Sequence, residues 1–262
     1  MTNSNGTVLG LDLSLRKAGF CVIDPNTWVP GKSGNPNVIE SGRLKTTNLD
    51  GIELIRLQKQ QAQIRALIIK HNVKFICVEQ YYFDDGESEM LYALHMFAHT
   101  VFMEFDLPVI CLGNQVLKKV AWPERNATIQ TIEKPQMIAA AKKSLGIVGA
   151  SMVDDVADAY WAMHAGVYFY HWNITEKLKD ADLGEYLYKV FAGKHTYTRG
   201  EKKGITEYTG VLYRENELYF NYKKIKERIS NVYKSSEESC GKSTNNVSGG
   251  SRSNSRKISD RT

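Results

Sequence analysis

The sequence predicts an α/β fold: a three-stranded antiparallel meander, then parallel strands with helices on both faces, followed by a small basic C-terminal extension. Three observations carry this reading. Three short β-type runs open the chain, and helix-period and strand-period segments then alternate as far as residue 170. The charge is uneven. Residues 194–262 hold 15 basic against 8 acidic residues, a net of +7, which against +5 for the whole 262-residue chain leaves −2 for residues 1–193. A near-neutral body with a basic C-terminal third suits a polyanionic partner. A solvated basic tail is the plainer alternative for the last thirty residues.

Taken in order, Thr7–Ser14 reads as a buried strand with one acid, Asp12, embedded in it, and Ala18–Asp24 as a second strand close enough to form a hairpin. A Pro/Gly/Asn-rich loop from Pro25 to Pro36 precedes a third strand, Val38–Leu44. Ile52–Lys70 has helical spacing of its apolar residues and can end at Asn72. Val73–Val78 is a continuous apolar strand ending on Glu79-Gln80, so a second acid stands at a strand's carboxyl end, where ligand sites of α/β sheets gather. An aromatic, acidic loop, Tyr81–Gly86, leads to a helix over Ser88–Phe105 and a fifth strand, Pro108–Leu112. Gln115–Val120 reads as a short helix or turn carrying Lys118 and Lys119. Pro135 opens a helix that Gly146 stops, and the last helix of the body runs from Asp154 to about Tyr170. The order β-β-β-α-β-α-β-α-α describes the RNase H-like fold. Beyond it, Trp172–Phe191 reads as continuing helix, Gly204–Leu212 and Glu217–Asn221 as a hairpin, Tyr222–Lys234 as a basic helix, and residues 235–262 as a disordered tail. The expected domains are thus 1–170, 171–234 and 235–262.

The acids give the body its chemistry. Asp154, Asp155 and Asp158 crowd an otherwise apolar helix, and Asp155 and Asp158 project from one face. Acids in a first helical turn are also favoured by the helix dipole alone, so the cluster by itself leaves both readings open. Asp12 and Glu79 tilt the balance: in the proposed fold the first and fourth strands are neighbours and the last helix crosses their ends. Carboxylates packed together repel and raise one another's pKa. Two divalent ions about 4 Å apart would satisfy them, and such a pair catalyses attack by water on a phosphodiester. Oxygen-only donors favour Mg2+, with Mn2+ as the substitute, over zinc. The four cysteines are scattered with no CxxC pair, which argues for reduced thiols and no zinc site. No apolar run is long enough for a membrane span, and residues 1–7 have no basic and apolar leader pattern. The expectation is an intracellular, cytoplasmic, DNA-associated protein.

The motifs Leu9–Ser14 with Ala18-Gly19-Phe20, Val78–Phe83, Val116–Val120 with Ile132–Met137, and Asp155-Val156-Ala157-Asp158-Ala159 occur in an order and spacing that resemble the RuvC family of Holliday-junction resolvases over most of residues 7–170. The resemblance implies a metal-dependent endonuclease that resolves four-way or other branched DNA. Asp12, Glu79, Asp155 and Asp158 would be its metal ligands, with Asp154 a possible replacement or neighbour. It places Lys134 near the scissile phosphate, Lys118 and Lys119 on backbone phosphates, and Tyr82 near an aromatic that enters the junction centre. It also implies a homodimer built on the helix Ser88–Phe105, whose apolar face (Leu91, Leu94, Ala98, Val101, Phe102) would serve equally as core. Two departures stand out: a loop over Trp122–Thr131 replaces a shorter segment, and the region beyond Tyr170 has no counterpart. There, Lys223, Lys224, Lys226 and Arg228 interleave with aromatics as DNA-binding surfaces do. The alternatives are an RNase H-like nuclease for forks, flaps or RNA–DNA hybrids, an actin-like ATPase, and a non-catalytic junction-binding protein. The ATPase would need further glycine-rich phosphate loops, so no nucleotide cofactor is expected.

Overall fold

A computed structural model describes residues 6–30, 36–47, 53–80, 89–122, 132–145, 152–208, 210–211 and 219–241. The body opens with β1 (Thr7–Asp12), β2 (Lys17–Ile23) and β3 (Val38–Lys45). It continues through α1 (Glu53–His71), β4 (Val73–Glu79), α2 (Glu89–Glu104), β5 (Pro108–Leu112), α3 (Asn114–Ala121) and α4 (Lys134–Leu145) to the acid-bearing α5 (Asp154–Phe169). With β8 (Tyr219–Asn221), these strands form one six-stranded sheet in the order β3-β2-β1-β4-β5-β8. The meander β1-β2-β3 is antiparallel, while β4 and β5 run parallel to β1. This is the expected RNase H-like arrangement.

The central strands are buried on both sides, which is why β1 and, after the exposed Lys74, β4 read as near-continuous apolar runs rather than alternating ones. Asn72, at φ 49°, ends α1 in the left-handed region and turns the chain directly into β4. Helices α1 and α2 pack against each other, and α5 lies across β1, β2 and β4 with α3 and α4 beside it. Two glycines let α5 come close. A Cβ at Gly10 would sit 2.2 Å from the Ala159 carbonyl oxygen, and one at Gly19 would sit 1.8 Å from the Asp155 carbonyl oxygen. The strands thus meet the helix backbone to backbone, which fixes the height of its aspartates above the sheet.

On α2, Leu94, Ala98, Val101 and Phe102 are buried in the chain's own core, so core packing claims the face that the sequence left open to a partner. The exposed apolar residues of α2 are Tyr92, Met96 and Met103. His99 packs against Phe102 and His164 against Trp161. Both are held neutral by burial, with pKa values pushed down to about 4 and about 3.

Beyond α5 the structure corrects three expectations. The helix does not run on from Trp172: its end widens into a π-turn over Tyr170–Ile174, and a 3-10 turn over Asp180–Leu183 precedes α6 (Gly184–Ala192). Buried His171 ends it, because its Nε2–H donates to the carbonyls of Pro25 (2.7 Å) and Trp28 (3.3 Å) and ties this point to the loop after β2. The expected hairpin of 204–212 with 217–221 is replaced. β7 (Thr206–Tyr208) pairs with β6 (Lys194–Thr196) across a turn containing Gly200 and Gly204, at φ 75° and 84°. β8 pairs instead with β5, covering that edge of the main sheet. The basic helix α7 (Tyr222–Gly241) runs past Lys234, through the start of the segment read as disordered. The described residues up to Lys223 form one compact unit, and α7 beyond it belongs to a second. Among the described residues no helix is long and apolar enough to cross a membrane.

Candidate metal centre

β1 and β4 are parallel neighbours with Leu11 paired to Val78, so the next residues, Asp12 and Glu79, leave the same edge of the sheet side by side. Helix α5, lowered onto Gly10 and Gly19, brings Asp158 over that edge. Asp12, Glu79 and Asp158 each offer a carboxylate oxygen, and these oxygens all lie within 4.8 Å of one another. Three elements distant in sequence thus supply one cluster of hard oxygen donors.

Its electrostatics are those of anions short of a counter-ion. Burial raises the Asp12 pKa to about 8, with the charges of Glu79, Asp158 and Asp155 adding to it and Lys134 opposing. Asp158 is raised to about 7 by burial, then by Glu79, Asp154 and Asp155, again against Lys134. Glu79 is raised by burial as well, though a 2.9 Å hydrogen bond from Asn114 Nδ2 to its Oε1 works the other way, as do Lys134 and Lys118. The fit to a divalent cation follows from this donor set: half-buried carboxylates, oxygen only, each favouring its charged form once a cation lies among them.

The remaining expected residues are placed as follows. Asp155 does not join the three; its carboxylate is in ion-pair contact with Arg43 of β3. Asp154 accepts a 2.7 Å hydrogen bond from Lys134, and this bond is the first cause of the raised Lys134 pKa. Lys134 is otherwise exposed, and its charge reaches Asp12, Glu79 and Asp158. Lys118 lies within electrostatic reach of Glu79, whereas the Lys119 ammonium sits 4.5 Å from the centre of the Tyr186 ring. Tyr82 lies outside the described residues. Lys223 follows β8, whose last residue, Asn221, pairs with Pro108 at the start of β5, so it leaves the sheet at the edge opposite the acids. Lys224 is exposed and opens the second unit.

Two residues at the centre were not singled out from sequence. Asn114 opens α3 directly after β5, and a polar residue at a strand's carboxyl end was its only signal. Arg43 lies in the third strand and carries no local signal at all.

The chain superposes on the structure of Thermus thermophilus RuvC with a TM-score of 0.52, at 17% identity over 63% of this chain and 96% of that one. It also superposes on T. thermophilus RuvC in complex with Holliday junction substrate, with a TM-score of 0.51 at 15% identity, over 64% of this chain and 96% of RuvC. The fold is that of RuvC. Nearly all of RuvC is matched, and about a third of this chain is additional to it. The yeast mitochondrial Holliday junction resolvase Ydc2 gives a TM-score of 0.38 at 14% identity, over 66% of this chain and 85% of its own, too low a score to carry a shared fold. No protein-family profile matches the sequence, and no curated protein does.

Proposed function

We propose that the chain is a divalent-metal-dependent, structure-specific DNA endonuclease that resolves four-way junctions or other branched DNA. The observation that carries this reading is the convergence of Asp12, Glu79 and Asp158 within 4.8 Å at the carboxyl edge of a RuvC-like sheet. A RuvC of the same fold was solved on a Holliday junction substrate, which supports branched DNA as the partner.

Asp12, Glu79 and Asp158 would hold the cations, two per site, with Mg2+ preferred and Mn2+ acceptable to the same oxygen donors. When bound, such cations supply Lewis-acid activation of water and charge stabilisation at the leaving 3′ oxygen. The protein's own groups do the rest. Asn114 orients the Glu79 carboxylate. Lys134, tethered by Asp154 yet exposed, presents a cation to a phosphate beside the acids. Lys118 adds positive charge on the α3 side. Lys119, turned onto Tyr186, contributes at the border of this surface. A homodimer would place two such sites on symmetric strands, and its contact on α2 would use Tyr92, Met96 and Met103, which are 43%, 49% and 42% exposed and share one helical face.

The test is cleavage of a synthetic four-way junction, compared with a fork, a flap and an RNA–DNA hybrid, with magnesium. The junction is expected to be cut fastest, and Asp12→Asn to lower that rate by at least about 100-fold. Absence of cleavage of every branched DNA would overturn the proposal. Preferential cutting of the hybrid would assign the same centre to a different substrate.

A further inference from the structure

A single cross-strand row runs through the centre. Asp12 of β1 pairs with Gly19 of β2, and Gly19 pairs with Arg43 of β3. Directly paired residues point to the same face of a sheet and strands lie about 4.8 Å apart, so Asp12 and Arg43 flank the gap that Gly19 leaves open. The first turn of α5 fills that gap, with the Asp155 backbone against Gly19. Asp155 therefore stands between two competitors. Its charge helps raise the pKa of both Asp12 and Asp158, and its Oδ2 is in ion-pair contact with Arg43 Nη2.

That pair is incomplete. It is largely withdrawn from water, at 23% and 20% side-chain exposure. Within it, Arg43 Nε has no hydrogen-bond partner among the described residues. A side-on Arg–carboxylate pair engages Nε together with Nη2, and here Nε stays unpaired.

We propose that Arg43 is a positioning residue that competes with the divalent cations for Asp155. With Arg43 engaged, the centre is a three-carboxylate site, and release of Asp155 supplies a fourth oxygen donor. Since Gly19 holds the Asp155 backbone, only the side chain has to turn. Arg43 thereby sets the cation concentration at which the centre fills. The inference rests on reading Asp12, Glu79 and Asp158 as a metal centre, and it adds a determinant that lies outside the acids.

The experiment is thermal denaturation of the full chain titrated with magnesium alone, without DNA. Arg43→Gln is expected to lower the magnesium concentration of half-maximal stabilisation by about three- to tenfold. The effect is expected to vanish in an Asp155→Asn background. An unchanged midpoint in Arg43→Gln overturns the inference. So does an equal lowering in the Asp155→Asn background, which would mean that Arg43 acts through its charge alone. Should Arg43→Gln fail to fold, the Arg43 Nε–H resonance of the unmutated chain is the second measurement. It is expected to move with the magnesium midpoint, and a resonance that stays put overturns the inference. An unmutated chain whose melting ignores magnesium overturns the metal centre itself, an outcome distinct from a failure confined to Arg43.

Discussion

At the residue scale, the acids of the centre oppose folding when no cation is present. An unfolded aspartate loses its proton near pH 4, whereas Asp12 keeps its proton up to about pH 8 and Asp158 up to about pH 7. Between those limits the folded chain binds more protons than the unfolded one, so stability falls as pH rises from about 4 to about 8. The three carboxylates titrate as a coupled set, so the loss belongs to the set rather than to any one residue. In chelator, melting temperature is therefore expected to decline across this window, less steeply in Asp12→Asn, and magnesium at pH 8 is expected to restore it. A metal-free melting temperature that rises steadily from pH 4 to 8 in the unmutated chain, with Asp12→Asn identical, would contradict the crowding of these groups.

At the scale of elements, the centre depends on how closely α5 approaches β1 and β2. Gly19 is the sharpest contact: an added Cβ would meet the Asp155 carbonyl at 1.8 Å, and backbone is the part that cannot yield cheaply. Gly19→Ala is expected to destabilise the chain by about 2–4 kcal/mol in urea denaturation, as overpacking and backbone displacement do. In whatever folds, it should also lower junction cleavage, since Asp155 and Asp158 ride on the displaced turn. The turn after Asp12 is pinned from the other side. Buried Gln60 donates to the Ser14 carbonyl (2.8 Å), and Arg56 Nη2 and Thr46 Oγ1 donate to the Leu15 carbonyl (2.9 and 2.7 Å). Helix α1 and the end of β3 thus hold the strand that carries Asp12.

At the scale of the whole molecule, the segment beyond Tyr170 completes the body. Leu178, Leu183, Leu187, Phe191, Val211 and Tyr219 are buried in the same core as α5, and Phe169 packs against both Phe191 and Tyr219. β8 also pairs along β5. A fragment ending at residue 170 is therefore expected to lose cooperative unfolding or aggregate, while one ending at residue 223 should melt within a few degrees of the full chain. Circular dichroism melts of the two fragments check this, and a stable, cooperative 1–170 fragment would contradict it.

What the sequence determined by itself was the local pattern: the apolar runs of β1 and β4, the period of α1 and α5, the stop at Asn72, and acids embedded where apolar residues were expected. These are nearest-neighbour signals, strong enough to give the order of elements and the positions of Asp12, Glu79 and Asp158. The tertiary structure alone decided the rest. β8 joined β5 rather than its sequence neighbour because a short strand's partner is set by which edge is free, and periodicity does not record that. Asp155 went to Arg43 rather than to the other acids because the register of β2 with β3 put a guanidinium there. Asn114 reached Glu79 because β5 runs parallel beside β4. Charge pairing across strands is decided by registry between segments far apart in the chain, and no single segment carries that information.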